Sequence, residues 1–296
     1  MDRKALLEQA LADVARRFGV TVRQALGGRL NQHWLVERGA ERLVLRCWAQ
    51  PPAEIDYETR VLAHVAALGW PVAVVVDGPL EWQGEHWSLS PFLDGEPALQ
   101  DRSPSQQRQL GRLLAELHGA LATIDGMGQR GAWRRCEAIL ADQHLDAALE
   151  AGGWRWPDAV RMLHWHLDRA RKRIAGIDLA VRPGMHIHGD FTPWNLRFID
   201  GRLSGVLDFE LAHWDHRIGD FALSWRGRYD DVVHGYAEVA PLEPLEWALI
   251  TPVWWAGLID SACRCIRNDA CDDGWILSKL QQRSALMGPD AEPYSV

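Results

Sequence analysis

The sequence predicts a two-lobed α+β protein, a small antiparallel β lobe with one key helix followed by a larger, mainly helical lobe. Three observations predict it. Between residues 20 and 92, short stretches alternate apolar and polar residues and are broken by glycines. From residue 103 onward, apolar residues recur at helical spacing. Within that helical half lies a single β-rich island, residues 186–208. The lobe boundary is expected after Phe92, giving lobes 1–92 and 93–296.

Residues 2–18 carry Leu6, Leu7, Ala10, Leu11, Val14 and Ala15 at helical spacing, and Gly19 supplies a stop. Three antiparallel strands follow in VTVRQAL, HWLVERG and RLVLRCW, with turns at Gly27–Gly28 and Gly39–Ala40. Residues 53–68 return to helical spacing through Ile55, Val61, Leu62, Val65 and Leu68, ending at Gly69. Two further strands, around Val72–Val76 and His86–Phe92, complete a five-stranded sheet. FLDGEP, residues 92–97, is a connector, because Gly and Pro cluster where the strand pattern fails. Ser103–Pro104 opens a helix with a cap and a first-turn proline. Further helices are predicted over 134–150, 157–175, 229–239 and 244–267. There is no internal repeat and no low-complexity segment.

Composition narrows the function. The 296 residues suffice for two modest domains, each with a core. Hydrophobic residues at 47% and charged residues at 24% exclude a disordered chain. A net charge of −8 argues against a nucleic-acid partner, which wants a basic face, and suits a cationic substrate. Five cysteines with no CxxC pair fit a reducing compartment. There is no apolar signal core and no membrane-length apolar run, so a cytoplasmic protein without a membrane partner is expected. The 29 arginines against three lysines, and the 16 tryptophans, read as a coding bias.

The island reads HIHGDFTPWNLRFIDGRLSGVLDFE. Asp190 is followed five residues later by Asn195. A hairpin, Leu196–Ile199 and Leu203–Leu207 around Asp200–Gly201, then returns Asp208-Phe209-Glu210. Phosphoryl transfer needs such a set. One carboxylate accepts the proton of the attacking hydroxyl, while an amide oxygen and a second carboxylate hold the ions that bridge the phosphates. His186 and His188 do not read as a metal pair, since no third ligand, HExxH or cysteine pattern accompanies them. The GxGxxG match at 126–131 follows a helix and so fails as a dinucleotide motif. No Walker-type loop and no GxSxG elbow is present.

With these motifs the chain resembles the small-molecule branch of the protein-kinase-like superfamily, the aminoglycoside phosphotransferase and choline kinase relatives, which include homoserine and fructosamine kinases. HGD stands where most protein kinases have HRD, and DFE where they have DFG. No activation segment ending in APE follows Asp208, which separates the chain from protein kinases. The resemblance covers nearly the whole chain. Gly27-Gly28-Arg29-Leu30-Asn31 resembles the phosphate-covering loop, LVLR at 43–46 the third strand, LGRLLAELH at 110–118 the first large-lobe helix, and Asp220 the brace under the catalytic loop.

The resemblance implies a bilobal protein-kinase-like fold and a kinase that moves the γ-phosphate of ATP or GTP, with Mg2+, to a small hydroxylated substrate. Antibiotic, amino alcohol, amino acid and sugar all remain open. It implies Asp190 as catalytic base, Asn195 and Asp208 as metal ligands, and His188 and Asp220 as structural supports. Gly28 and Asn31 would bring backbone amides to the phosphates, and Ser90, Phe92 and Leu93 would meet the nucleotide base. Arg46 stands where protein kinases carry lysine, and Glu58 is its expected partner, with Glu54 as competitor. That arginine keeps open an alternative, a non-catalytic nucleotide-binding module. For the acceptor, Glu210, Asp215 and Asp260 are expected to meet a cation, with Asp269, Asp272 and Asp273 nearby in sequence and Trp254 and Trp255 as a flat wall.

Overall fold

A computed structural model of the protein describes residues 3–28, 30–97, 103–131, 133–179, 182–268 and 274–288. Along the chain run α1 (Arg3–Phe18), β1 (Thr21–Gly27), β2 (Gln32–Arg38), β3 (Glu41–Trp48), α2 (Pro52–Ala67), β4 (Asp77–Trp82), β5 (Glu85–Pro91) and β6 (Glu96–Pro97). Then come α3 (Pro104–Leu121), α4 (Cys136–Leu140), α5 (Gln143–Gly152), α6 (Pro157–Ile174), β7 (Met185–Ile187), β8 (Leu196–Ile199), β9 (Arg202–Val206) and β10 (His213–Asp215). Four helices close the described chain: α7 (Phe221–Ser224), α8 (Asp230–Val239), α9 (Pro244–Arg267) and α10 (Trp275–Leu280). The chain divides into two compact units, Met1–Ala98 with Trp194–Glu210, and Leu99–Pro193 with Leu211–Val296.

The first unit is built on the antiparallel sheet β1-β2-β3-β5-β4. Because strand side chains alternate, Leu43, Leu45 and Cys47 of β3 fall on one face. There they join Val36, Trp34, Trp87 and Leu89 in a core closed by Leu7, Ala10, Val14 and Phe18 of α1. Each fully buried leucine there contributes roughly 1.5–3 kcal/mol. Arg46, between Leu45 and Cys47, therefore lies on the other face and meets α2. That helix starts at Pro52 in its first turn and stops at Gly69. Its buried stripe of Ile55, Glu58, Val61, Leu62 and Val65 puts a carboxylate among apolar neighbours. The hairpin β8–β9, with β6 on the β8 edge, completes this unit.

The second unit is helical. Its longest helix, α9, begins with Pro244 in its first turn and a capping box in which Glu243 and Glu246 satisfy each other's backbone N–H groups. A two-stranded ribbon pairs β7 with β10, Ile187 opposite His213 and Met185 opposite Asp215. No described helix is long and apolar enough to cross a membrane.

Three expectations need correction. The fourth strand is not Val72–Val76 but Asp77–Trp82. The valine run makes only an isolated bridge, Val72 to Val206, because Val206 N–H donates to Pro71 and ties this stretch to the hairpin. The helix expected over 134–150 is two helices, since Asp142 accepts the N–H of His144 and caps a fresh start. The boundary expected after Phe92 gives way to one after Ala98, and the hairpin 194–210 groups with the first unit.

Candidate active site

In the first unit the glycine loop between β1 and β2 is held from below. His33 Nδ1 meets the Gly27 carbonyl at 3.1 Å and Gln32 Nε2 donates to the Gly28 carbonyl at 2.9 Å. Gly28 has φ +139°, and a Cβ there would lie 1.9 Å from the Asn31 carbonyl oxygen, so only glycine fits. His33 titrates at about 4, well below the usual range, because burial and then the charge of Arg46 disfavour its cation. It is neutral at pH 7 and its Nδ1–H serves the loop. Arg29 lies outside the described residues.

Arg46 meets Glu58 and not Glu54. The guanidinium is bidentate on the carboxylate, at 2.5 and 3.1 Å, and lies over the Trp48 ring at 3.6 Å. Glu210 approaches the same guanidinium at 3.8 Å. Its carboxylate also accepts from Asn31 Nδ2 at 2.5 Å, while Asn31 Oδ1 accepts the Ala49 N–H at 2.8 Å. The Asn31 side chain, 1% exposed, thus ties loop, sheet and DFE segment together. Glu210, expected at the acceptor, faces Asn31 and Arg46.

Asn195 and Asp208 stand at the open end of the β8–β9 hairpin. Leu196 pairs with Val206, and the Leu207 N–H donates to the Asn195 carbonyl at 2.7 Å. Phe209 is buried and anchors the segment, leaving Asp208 exposed with φ +66°. That left-handed conformation is uncommon outside glycine and is tolerated best by Asn and Asp. An amide oxygen and a carboxylate are hard oxygen donors, the type that suits Mg2+. Of the connector residues, Ser90 pairs with Val44 on β3, Phe92 lies under the Arg42 guanidinium at 4.2 Å, and Leu93 packs on Gly205.

In the second unit the HGD loop is clamped by Asp220. Its carboxylate accepts the His188 N–H at 2.8 Å, the Gly189 N–H at 2.6 Å and His118 Nε2 at 2.8 Å. His118 Nδ1 in turn meets Tyr236 Oη at 2.8 Å, so both ring nitrogens are engaged. Burial alone would raise the Asp220 pKa, but the hydrogen bond from His118 and the nearby donors outweigh it and hold the group low. His188 Nδ1 then accepts the Asp190 N–H at 3.2 Å, so His188 shapes the loop. Gly189 has φ +82°, and a Cβ there would strike the Leu211 carbonyl at 2.2 Å. The loop presents Asp190 half-buried, next to a rigid turn.

The remaining acceptor candidates are committed elsewhere. Trp254 and Trp255 are 2% and 1% exposed. Trp254 packs edge-on to Trp225, and Trp255 edge-on to His166, so both are core and form no open wall. Asp260 pairs with Arg134 at 2.5 Å and with Arg264. Asp215 is buried, accepts the His216 N–H at 2.7 Å and faces Arg135 at 3.8 Å. Asp269, Asp272 and Asp273 lie outside the described residues. Sequence reading missed the polar stretch 130–137, which no motif marks. Arg130 donates to the Ala212 carbonyl, Trp133 stacks on His213 at 4.4 Å, and Arg135 lies within 2.8 Å of both ring nitrogens of His216. Cys136, Glu137 and His216 have metal-ligand spacing, but the Arg135 guanidinium against the imidazole would repel a cation.

The chain thus carries a β unit with a glycine loop and a buried cation–carboxylate pair, and a helical unit with a clamped HGD loop. The model of the phosphotransferase enzyme family, APH, matches residues 21–244, and the chain belongs to that family. A homoserine kinase of Allorhizobium ampelinum is 30% identical over 180 residues, covering 48% of this chain and 56% of that protein. The match therefore spans little more than half of that relative's length. Among solved structures, a microcompartment-associated aminopropanol kinase superposes with TM-score 0.60 at 19% identity, covering 91% of this chain and 92% of that one. A thermostable mutant of aminoglycoside phosphotransferase APH(4)-Ia in ternary complex with ADP and hygromycin B does so with TM-score 0.61 at 18% identity, covering 96% of this chain and 99% of that one. At these identities the likeness to solved structures is one of fold.

Proposed function

We propose that this phosphotransferase moves the γ-phosphate of ATP, or GTP, to a hydroxyl of a small amine-bearing molecule. The observation that carries the reading is the Asp220 clamp. A fully buried carboxylate takes up the backbone N–H groups of His188 and Gly189, the two residues before Asp190. So costly a group, desolvated and held ionised, is explained if the position of Asp190 matters. Asp190 accepts the proton of the acceptor hydroxyl and orients it. Asn195 and Asp208 hold Mg2+, which when bound neutralises charge building on the phosphate oxygens. Arg46, oriented by Glu58, supplies a fixed cation for the phosphates, and Gly28 lets the loop backbone approach them.

The acceptor class rests on chemistry shared by the relatives. Homoserine, aminopropanol and hygromycin B each carry an amine and a hydroxyl, and this chain has a net charge of −8. The test is nucleotide turnover with Mg2+ against these three compounds and neutral sugars, repeated at raised salt. A neutral sugar as best acceptor, with a KM that salt leaves unchanged, rules out the amine reading. In the same assay Asp190→Asn is expected to lower kcat by ~10²–10⁴-fold, the usual worth of a general base, with Mg-ADP affinity unchanged. Retention of more than about a tenth of kcat would sink the assignment of Asp190 as base.

A further inference from the structure

The buried link between Asn31 and Glu210 goes beyond the roles expected for either residue. Asn31 has both side-chain groups engaged, its oxygen by the Ala49 N–H at 2.8 Å and its NH2 by Glu210 at 2.5 Å. Ala49 follows directly on β3, the strand of Arg46. Asn31 immediately precedes β2, so it closes the glycine loop, and Glu210 is two residues beyond Asp208. A single amide therefore spans three segments that a nucleotide must find in register. Glu210 also faces Arg46 at 3.8 Å, so its charge lies between an amide donor and a guanidinium. The base of the loop is fixed independently through His33 and Gln32, and the Asn31–Glu210 bond ties the loop to the DFE segment.

We infer that Asn31 and Glu210 are a positioning pair for the nucleotide. Asn31 acts through Glu210, setting the segment that carries Asp208 against the glycine loop and Arg46. Neither side chain needs to touch the phosphates. The inference rests on the nucleotide-binding reading above and assigns that site two residues that work as one.

The pair can be tested by reversing it. Asn31→Asp sets carboxylate against carboxylate. Combined with Glu210→Gln, the same two atoms again meet as donor and acceptor, with polarity exchanged, and the Ala49 N–H keeps its acceptor. Calorimetry with Mg-ADP on the full chain is the readout, together with the split between nucleotide KM and kcat. Asn31→Asp is expected to weaken Mg-ADP by roughly 10–100-fold, the worth of a charge-assisted bond, and to raise KM more than it lowers kcat. The double variant is expected within about threefold of the unsubstituted protein, since the bond is restored. Should Asn31→Asp fail to fold, Asn31→Ser, whose shorter side chain reaches neither Glu210 nor the Ala49 N–H, is expected to weaken Mg-ADP in the same direction. An unsubstituted protein that binds no Mg-ADP overturns the nucleotide reading itself. Binding that Asn31→Asp and Asn31→Ser leave within about twofold, or a loss that Glu210→Gln does not rescue, overturns the pair alone.

Discussion

Asp220 is the residue on which the HGD loop depends. It accepts two backbone N–H groups and His118, all within 2.8 Å. Asp220→Asn keeps the shape but turns an NH2 toward one of those donors. The loss is expected to be about 1.5–3 kcal/mol in an unfolding titration, the worth of a hydrogen bond to a charged group. A displaced loop is also expected to lower kcat on the order of 10²-fold, the cost of misplacing a reacting group by about 1 Å. An unchanged unfolding midpoint would mean that the clamp holds nothing. Because the folded pKa of Asp220 is depressed, its stabilisation is complete above the ordinary carboxylate range and is lost as pH falls through the folded value. The sequence pointed to Asp220 only through the family resemblance, as a brace under the catalytic loop. The Asn31–Glu210 bond was not legible there, because 179 residues separate its partners and no local pattern joins them.

At the scale of elements, β1–β3 were legible because alternation and β-branched residues agree with their turns. The fourth strand was missed for two opposing reasons. Gly78-Pro79 reads as a breaker, yet it lies inside β4, at the irregular stretch of its pairing between Asp77 and Leu80. Val72–Val76 has the propensity for a strand, but its backbone turns to the hairpin at Val206 and to Leu89. On β2, His33 sits opposite Arg46 in the register. This placement makes the first unit sensitive to acid. The folded chain holds His33 neutral down to about 4, whereas an unperturbed imidazole titrates near 6.5, so between these values the unfolded chain binds more protons. Stability is therefore expected to rise with pH across that window. Thermal melts at pH 5 and pH 7 should show the difference, and His33→Gln, whose amide can still serve Gly27, should shrink it. An equal pH difference in both proteins would remove His33 as its source.

For the molecule as a whole, the two-lobed α+β reading was legible from the change of period after the connector, but the division of the chain was not. A linear reading cuts the sequence once, whereas the first unit takes back residues 194–210. Those residues bring the β8–β9 hairpin, the partner of Val72, and Glu210. A fragment ending at residue 98 is therefore expected to melt at lower temperature than the same fragment joined through a Gly/Ser linker to residues 194–210. Equal melting temperatures would show that the returning segment adds no stability. There is also a consequence for birth on the ribosome. The sheet is synthesised first, but its missing hairpin leaves the peptidyl-transferase centre more than a hundred residues later, roughly 5–20 s at ordinary elongation rates. Throughout that interval the Asn31 amide has no carboxylate to hold and Arg46 has only Glu58. The nascent sheet is thus exposed to chaperones and proteases for a time set by translation speed.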